Sequence, residues 1–405
     1  MAAVATGVTT PVLFSYLSDI VSSDSRSKPF AYWGIIYMIG SSAAGILALG
    51  FNQIPTNLLD VSSGTISDSI SYISEHYSNL LHTWRYPFLI LGMMALIATL
   101  LAVFLTKEPN RAGSEDIFKD LPPEELRYSY KIKISDLKYI FKKKSNFFLI
   151  MNFFDVIGSG VLFAFIFPLI TLEMGVNPID LEGILFFSVL GIFAFLIGWI
   201  LGPFIFAHWA DKKVQSGETF ARIRIAIICT VVKIPLIFFA FLMSPNIATQ
   251  TFFVMGYPFG SIQVNPIVFW ILWVVFSVLL GLGFAFSSGI GPNWNGALMD
   301  VNLSEHRGTM IAMAALVDQV GRALGAIIGG RAILMYDSIY ESVFWVSLWA
   351  GLISLCFWIP LLFTYKKDLA EVNQIMAERA ESMKKSLADR DKSISKSVEK
   401  IKEIK

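Results

Sequence analysis

The sequence has 405 residues, of which 55% are hydrophobic and 16% are charged, and its formal net charge is +1. A soluble domain carries about 25% charged residues, so this composition excludes an ordinary soluble protein. The mean hydropathy is +0.62. The apolar residues fall in blocks of about 20, the length that crosses a ~30 Å hydrocarbon layer, which indicates an α-helical membrane protein.

Nine apolar segments are predicted to be membrane helices. The first, at about 2–20, is the weakest and is rich in small residues, a composition typical of a helix packed inside a bundle. The other eight are each long enough to cross a bilayer and lie at roughly 29–51, 84–106, 148–173, 183–207, 223–243, 267–299, 308–335 and 342–365. We therefore expect an all-α fold, a polytopic bundle with about nine membrane helices.

Basic residues concentrate in every second loop. The basic loops lie at 21–28, 107–147, 208–224 and 300–307. The loops that hold no Lys or Arg lie at 52–83, 174–182, 244–266 and 336–341. Because cytosolic loops carry the excess of positive charge, the pattern predicts that the basic loops and the C-terminus are cytosolic and that the others are external. The expected location is a multi-pass position in the cell (plasma) membrane.

The segment from 366 to 405 is highly charged, with eleven Lys and Arg and eight Asp and Glu. Its apolar residues follow a heptad that is broken in places, and they are Met376, Ala380, Met383, Leu387, Ile394 and Ile401. We expect a helix here. A solvated or membrane-surface helix and a long coiled coil are both compatible with this pattern.

An offset of 281 residues superposes two stretches of the chain. The matched residues are Pro11, Leu17, Asp19, Asp24, Arg26 and Gly40 on Pro292, Leu298, Asp300, Glu305, Arg307 and Gly321. Both copies cover the end of one apolar segment, a tight loop and the start of the next. Six matches in one ungapped register indicate an internal repeat, and parallel repeats of six helices build one large class of transporters.

These motifs resemble those of the major facilitator superfamily. The stretches 7–45 and 289–330 are similar to family helices 4 and 5 and to helices 10 and 11. The loop between Gly202 and Arg222 is similar to the family motif between helices 8 and 9, although Ala207 stands where a Gly is usual. The overall sequence pattern is similar to that of spinster-like members of the superfamily.

The resemblance implies a domain organisation. It identifies the nine segments as helices 4 to 12, so that helices 1 to 3 of the family are absent from the sequence. A misplaced start and a natural truncation both remain open. Residues 1–106 would be the remnant of the N-terminal half, 107–147 a cytosolic central loop, 148–365 the C-terminal six-helix half, and 366–405 a cytosolic charged helical tail.

Ionisable residues inside membrane helices cost about 2.5–3.5 kcal/mol each on insertion scales. Asp155 shares a helix face with Asn152 and Ser159, and the resemblance implies that this helix lines the cavity. Asp155 is therefore a candidate for cation or substrate binding, with a pair to a neighbouring helix as the alternative. Asp318 and Arg322 have the spacing of an ion pair on one face, either a coupling or substrate site or a structural salt bridge.

Two further features concern polar groups within apolar segments. Asn293, Trp294 and Asn295 form an amide–aromatic cluster beside Pro292, which suits an organic ligand or, alternatively, packing at a helix kink. Lys233 is expected to extend its side chain toward the membrane interface rather than bind anything.

Three acid–Arg clusters occupy the basic loops. Their members are Asp19 with Arg26, Asp211 with Arg222, and Asp300 with Arg307. We expect these clusters to hold the cytosolic side closed in the outward-open state.

The resemblance implies a secondary active transporter of a small molecule, working by alternating access and coupled to a proton or to sodium. The alternative is a truncated, non-transporting membrane sensor or scaffold. The sequence has no phosphate-binding Gly-rich Lys loop, HExxH, GxSxG or Cys/His cluster, so we expect no enzyme activity, no metal and no cofactor. The expected partners are the substrate and the lipid bilayer, and nucleic acid is not expected.

Overall fold

The protein is represented by a computed structural model that describes residues 12–51, 83, 85–106, 115, 134–174, 181–246, 251–254, 261–263 and 265–404. The chain divides into two compact units. One unit comprises Gly34–Glu108, and the other comprises Met1–Trp33 together with Pro109–Lys405. The second unit contains all the candidate site residues.

The helices at the start of the chain follow the predicted segments. Helix α1 covers 12–20 and ends before a short 3-10 turn at Ser23–Ser25. Helix α2 is Ser27–Phe51 and helix α3 is Arg85–Leu105. The first residues of the segment predicted at 2–20 and the external loop predicted at 52–83 lie largely outside the described residues.

The rest of the chain is mostly helical. These helices are α4 (Ile134–Lys142), α5 (Lys144–Ile150), α6 (Phe153–Pro168), α7 (Leu181–Leu190), α8 (Gly202–Gln215), α9 (Ala221–Leu242), α10 (Pro266–Asp300), α11 (Ser304–Tyr336), α12 (Ile339–Trp358) and α13 (Leu361–Ile404). Wider π-helical turns extend α6 through Leu169–Glu173 and join α7 to α8 through Gly191–Leu201. Two of the predicted segments, 148–173 and 183–207, therefore form helices of mixed pitch.

Six of the described helical stretches are long and apolar enough to cross a membrane. They are Arg85–Leu105, Lys144–Ile166, Ala221–Leu242, Pro266–Asp300, Ser304–Tyr336 and Ile339–Trp358. The prediction of a helical membrane bundle is confirmed. Regular helices suit such segments because every backbone N–H and C=O must be satisfied within the hydrocarbon layer.

A small sheet that the sequence does not predict lies between α9 and α10. Its strands are β1 (Met243–Asn246), β2 (Thr251–Val254) and β3 (Ser261–Gln263), antiparallel and in that order. Met243 pairs with Val254, and Thr251 pairs with Gln263. The described parts of the predicted loop at 244–266 therefore include short strands, which a plain loop would not have.

The two largest apolar cores among the described residues stabilise the helices of the larger unit. The core beside the sheet is aromatic, with Phe186 stacked on Trp270 at 4.0 Å between ring centroids and Trp273 fully buried. The core at the opposite end of the helices includes Ile223, Leu298 and other apolar side chains. The residues of the three acid–Arg clusters lie at or near the ends of helices that border this second core.

Helices α6 and α11 cross closely because glycines face each other at the contact. A Cβ added to Gly160 would be 2.6 Å from the carbonyl oxygen of Arg322, and one added to Gly325 would overlap the carbonyl oxygen of Ile157. Small residues let membrane helices approach until their backbones are in contact. Van der Waals packing then holds the helices together, because lipid tails are as apolar as the side chains and leave no hydrophobic driving force for association.

Replacing Gly325 with Ala is expected to force α6 and α11 apart and to lower the unfolding free energy by about 1–3 kcal/mol, the usual cost of overpacking. Denaturant unfolding in detergent measures the change. Gly291→Ala on α10 is the matched control, because a Cβ there meets nothing within 4 Å. Equal stability of the two variants would show that the close approach is not required.

Candidate functional site

The three predicted acid–Arg clusters merge into one network at a single end of the helices, which we call the charged cluster. It joins the turns between α1 and α2, between α8 and α9, and between α10 and α11. Asp300, at the end of α10, accepts from Arg26 Nη1 at 3.1 Å and also pairs with Arg222 Nη1. Both guanidinium groups are buried, with side chains 2% exposed.

Arg222 also fixes the turn that precedes α2. Its Nη2 donates to the carbonyl oxygen of Ser23 at 2.8 Å, and its Nε donates to Ser27 Oγ at 2.9 Å. Asp211 accepts from Arg222 Nη2 at 3.1 Å and from the backbone N–H groups of Ser27 and Lys28 at 3.1 and 2.9 Å. One Arg and one Asp thus bind the start of α2 to α8 and α9.

Glu115, from the predicted central loop, completes the charged cluster. Its Oε1 accepts from Arg307 Nη2 at 2.6 Å and also pairs with Arg26 Nη2. Arg26 and Arg307 are equivalent residues of the internal repeat, so one carboxylate is shared by the two equivalent guanidinium groups. Sequence reasoning missed Glu115, because nothing in a loop with several acids distinguishes this one.

The acid and Arg of each repeat copy pair across the copies. Arg26 of the first copy contacts Asp300 of the second, and Arg307 of the second interacts electrostatically with Asp19 of the first. Charged residues at repeat-related positions therefore connect the first copy of the repeat to the second. The acid and the Arg of one copy do not pair with each other in these contacts.

The surroundings of Glu115 favour its ionised form. Burial alone would raise the pKa of its carboxyl group, but the guanidinium groups of Arg307 and Arg26 outweigh burial and hold that pKa at about 2. The ordinary pKa is 4.5. Because the pKa is lowered in the folded protein, the stabilisation is fully present above pH 4.5 and is lost as the pH falls through about 2.

Replacing Glu115 with Gln is expected to lower the unfolding free energy at pH 7 by about 3 kcal/mol, because two buried guanidinium groups lose a shared anion. The difference between wild type and variant should shrink at pH 3, where the wild-type advantage is partly titrated away. Chemical unfolding at the two pH values measures both differences. A difference of equal size at pH 7 and pH 3 would contradict the assignment.

The charged tail contacts the same end of the bundle. Tyr365 on α13 donates its hydroxyl to Asp300 Oδ2 at 2.9 Å, and Arg379 pairs with Glu305 at 2.8 Å. Met376 and Ala380 are buried in a cluster with Leu303 and other apolar side chains. The apolar stripe of this part of α13 therefore packs on the bundle, and the other faces of the helix are exposed.

Asp155 is buried and forms an ion pair with Lys233 of α9. The expectation that Lys233 extends toward the membrane interface is wrong, because its side chain is 7% exposed and turns inward to α6. A carboxylate on a neighbouring helix offers the ammonium group a closer partner than the interface. Of the predicted companions of Asp155, Ser159 donates to the Asp155 backbone oxygen at 3.3 Å, and Asn152 is buried.

Asp318 and Arg322 form the ion pair that their spacing predicts, with Arg322 Nη2 at 2.9 Å from Asp318 Oδ2. The pair is only partly buried, since the side chains are 21% and 44% exposed. The Arg322 guanidinium also lies 6.0 Å from the ring centroid of Phe163. This pair is therefore less buried than the pair that Asp155 forms with Lys233.

The amide–aromatic cluster on α10 is largely occupied by contacts within the bundle. Asn293 Nδ2 donates to the carbonyl oxygen of Gly289 at 2.9 Å, and Trp294 Nε1 donates to that of Leu149 at 2.8 Å. The buried Asn293 Oδ1 has no hydrogen-bond partner among the described residues. Asn295 is half-buried beside them.

Comparison with known proteins gives one family. The model of the family described as the Major Facilitator Superfamily matches residues 1–269. No curated protein matches the chain. The match covers α1 to α9, including the Arg26, Asp211 and Arg222 positions of the charged cluster.

Proposed function

Because the chain belongs to the Major Facilitator Superfamily, a family of multi-pass membrane transporters, we propose that it is a secondary active transporter that moves a small molecule by alternating access. Membership establishes an integral membrane protein and a transporter in general. Secondary active transport by alternating access and the identity of the coupling ion go beyond family membership and are part of the proposal. The comparisons resolve no subfamily, so the spinster-like resemblance stays a prediction.

The observation that carries the proposal is the sharing of Asp300 by Arg26 and Arg222. The Arg26 contact joins repeat-related segments, and the Arg222 contact ties the turn between α8 and α9 to the same end of the helices. Charged side chains suit a contact that must separate and re-form, because water solvates them when the contact opens. An apolar contact of the same size would leave an exposed apolar patch in the open state. We propose that the charged cluster closes the cytosolic end in one state of the transport cycle.

The proposed ligand contacts are the ionisable and amide residues within the helices. They are Asp155, Asn293, Trp294, Asn295, Asp318 and Arg322. The partial exposure of the Asp318–Arg322 pair supports substrate contact there, because a ligand can reach both charges. We propose coupling to a proton or sodium, a plasma-membrane location and a cytosolic C-terminus, in line with the distribution of basic loops.

The alternative of a non-transporting sensor or scaffold depended on a free C-terminal tail. The docking of Tyr365 and Arg379 against the charged cluster and its neighbour Glu305 leaves less of α13 available for that role. The family match does not favour this alternative either.

The test is uptake by membrane vesicles from cells that express the protein from its own gene. Vesicles receive a defined mixture of water-soluble metabolites under an imposed proton or sodium gradient, and mass spectrometry identifies what accumulates. We expect at least one compound to accumulate only with the gradient and only when the gene is intact. Equal contents in vesicles with and without the gene would overturn the proposal.

A further inference from the structure

Three consecutive lysines at the boundary between α4 and α5 have different environments. The backbone of Lys143 is extended, with φ −72° and ψ 119°, so α4 and α5 are separate helices. Lys143 is 4% exposed, and its Nζ donates to the carbonyl oxygen of Val301 at 2.8 Å. Lys142 and Lys144 on either side of it are exposed. The middle lysine therefore belongs to the protein interior, and its two neighbours remain at the surface.

Contacts on the inner side of this segment hold it against the bundle. Asn146 and Asn302 exchange side-chain hydrogen bonds of 2.9 and 2.8 Å, and both residues are buried. Tyr139 donates its hydroxyl to Glu371 of α13 at 3.0 Å. Because the inner side is fixed in this way, the side chains on the opposite side are presented outward.

The outward side combines exposed lysines with exposed aromatic rings, and we call it the lysine–phenylalanine face. Its members on α4 are Lys138, Phe141 and Lys142, whose spacing places them on one side of the helix. Its members on α5 are Lys144 and Phe147, three residues apart. The two phenylalanines are 48% and 50% exposed. Among the side chains that the structure describes, no acid pairs with these three lysines.

The lysine–phenylalanine face lies where the chain enters the membrane, because Lys144 is the first residue of the candidate span Lys144–Ile166. Apolar rings together with basic side chains are typical of helices that lie in the membrane interface. The sequence from 131 to 144 contains six lysines and one acid, Asp136. A cluster of about four to eight basic residues directly before a membrane helix is typical of a site for anionic lipids.

We propose that the lysine–phenylalanine face binds an anionic phospholipid. The headgroup phosphate lies between the ammonium groups of Lys142 and Lys144, and the acyl chains cover the rings of Phe141 and Phe147. The inference goes beyond the proposed function. It takes only the cytosolic leaflet from the orientation proposed above.

A phospholipid fits this face better than a free anion. A free phosphate would use the ammonium groups alone, and water and salt screen its attraction to exposed lysines. A phospholipid also covers the two phenylalanine rings, and its headgroup lies at the depth where Lys144 leaves the hydrocarbon layer. Phosphatidylcholine has no net charge, so the lysines should favour an anionic headgroup over it.

Native mass spectrometry of the purified, delipidated protein tests the proposal without a substrate. Phosphatidylglycerol and phosphatidylcholine with the same acyl chains are titrated in turn, and the lipid-bound fraction gives each affinity. We expect wild type to bind phosphatidylglycerol more tightly than phosphatidylcholine. The double variant Lys142→Gln with Lys144→Gln should lose about fivefold in phosphatidylglycerol affinity for each lysine and keep its phosphatidylcholine affinity.

Lys384→Gln with Lys385→Gln is the charge-matched control. These lysines are also exposed and adjacent, but they lie about six turns into α13, away from the membrane spans. The control should bind phosphatidylglycerol as wild type does. Equal affinity of wild type for the two lipids, or an equal loss in the two double variants, would overturn the proposal. Displacement of phosphatidylglycerol by an excess of inorganic phosphate would also overturn it, because the site would then be one for a free anion.

The depth of position 141 in a bilayer is an independent measurement. A spin label on Phe141→Cys, with Cys356 changed to Ser, should collide with oxygen in the acyl layer and be shielded from a water-soluble nickel reagent. A label on Lys384→Cys should show the reverse. Equal access of the nickel reagent to both labels would place α4 outside the bilayer and contradict the proposal. Neither measurement involves uptake, so its failure is separate from that of the vesicle experiment.

Discussion

Replacing Asp300 with Asn is expected to release the charged cluster and to lower the unfolding free energy by about 3–5 kcal/mol. The carboxylate of Asp300 is the common partner of Arg26 and Arg222, and Tyr365 also donates to it. Arg26 keeps Glu115 and Arg222 keeps Asp211, but the buried network loses the anion that both cations share. The resulting excess of buried positive charge costs far more than the net value of the pair. Denaturant unfolding of the purified protein measures the loss.

A second consequence of Asp300→Asn concerns the equilibrium between closed and open forms. With the anion gone, Arg26 and Arg222 repel each other, and both are hydrated only when the cluster opens. Thiol labelling of Ser27→Cys, a position that is buried in the closed cluster, should therefore become faster. Labelling rates with and without the Asp300 change measure this shift.

Glu218→Gln is the matched control for Asp300→Asn. Glu218 also bridges two cations, Lys213 at 2.8 Å and Arg224 at 2.9 Å, and it lies in the turn between α8 and α9. These pairs are exposed, and exposed pairs contribute little because water and salt screen them. We expect no measurable change in unfolding for Glu218→Gln. A loss for Asp300→Asn no larger than for Glu218→Gln would refute the role of the cluster.

Cross-linking the closed cluster is expected to stop transport completely and reversibly. Gln215 Nε2 donates to Ser25 Oγ at 2.9 Å, in an exposed position at the edge of the cluster. Cys replacements at these two positions, joined by a short reducible bifunctional thiol reagent, would hold α8 to the turn before α2. Cys356 is changed to Ser in this background because it is an exposed free thiol, whereas Cys229 is buried.

Uptake of the compound that accumulates in the vesicle experiment measures the effect of the cross-link. We expect uptake to fall to the background level after cross-linking and to recover after reduction. The Gln215→Cys single variant treated with the same reagent is the control and should keep its uptake. Full uptake by the cross-linked protein would mean that this end of the helices does not open during transport.

The elements of the fold could be predicted because membrane helices leave a direct signal in the sequence. Apolar runs of bilayer length coincide with the long helices, and the 281-residue repeat in the sequence picks out Asp300, Arg26 and Arg307. The strands β1 to β3 could not be predicted, because strands of three or four residues have too few positions for a clear alternation.

The partners within the site could not be predicted from local patterns. Glu115 is separated from Arg26 by 89 residues and from Arg307 by 192 residues, so no local spacing links them. The orientation of the Lys233 side chain could not be predicted for the same reason. A single Lys on an apolar helix can turn to the membrane interface or to a buried acid, and only the packing of α6 against α9 decides between them.

The central claim is that the charged cluster opens and closes, and the distance between spin labels at positions 25 and 215 tests it most directly. Dipolar electron paramagnetic resonance on the doubly labelled protein, in lipid, reports that distance in each population. We predict two populations, a short distance that predominates in wild type and a longer one that predominates after Asp300→Asn. A single short distance in both proteins, unchanged by pH or by sodium, would contradict the account.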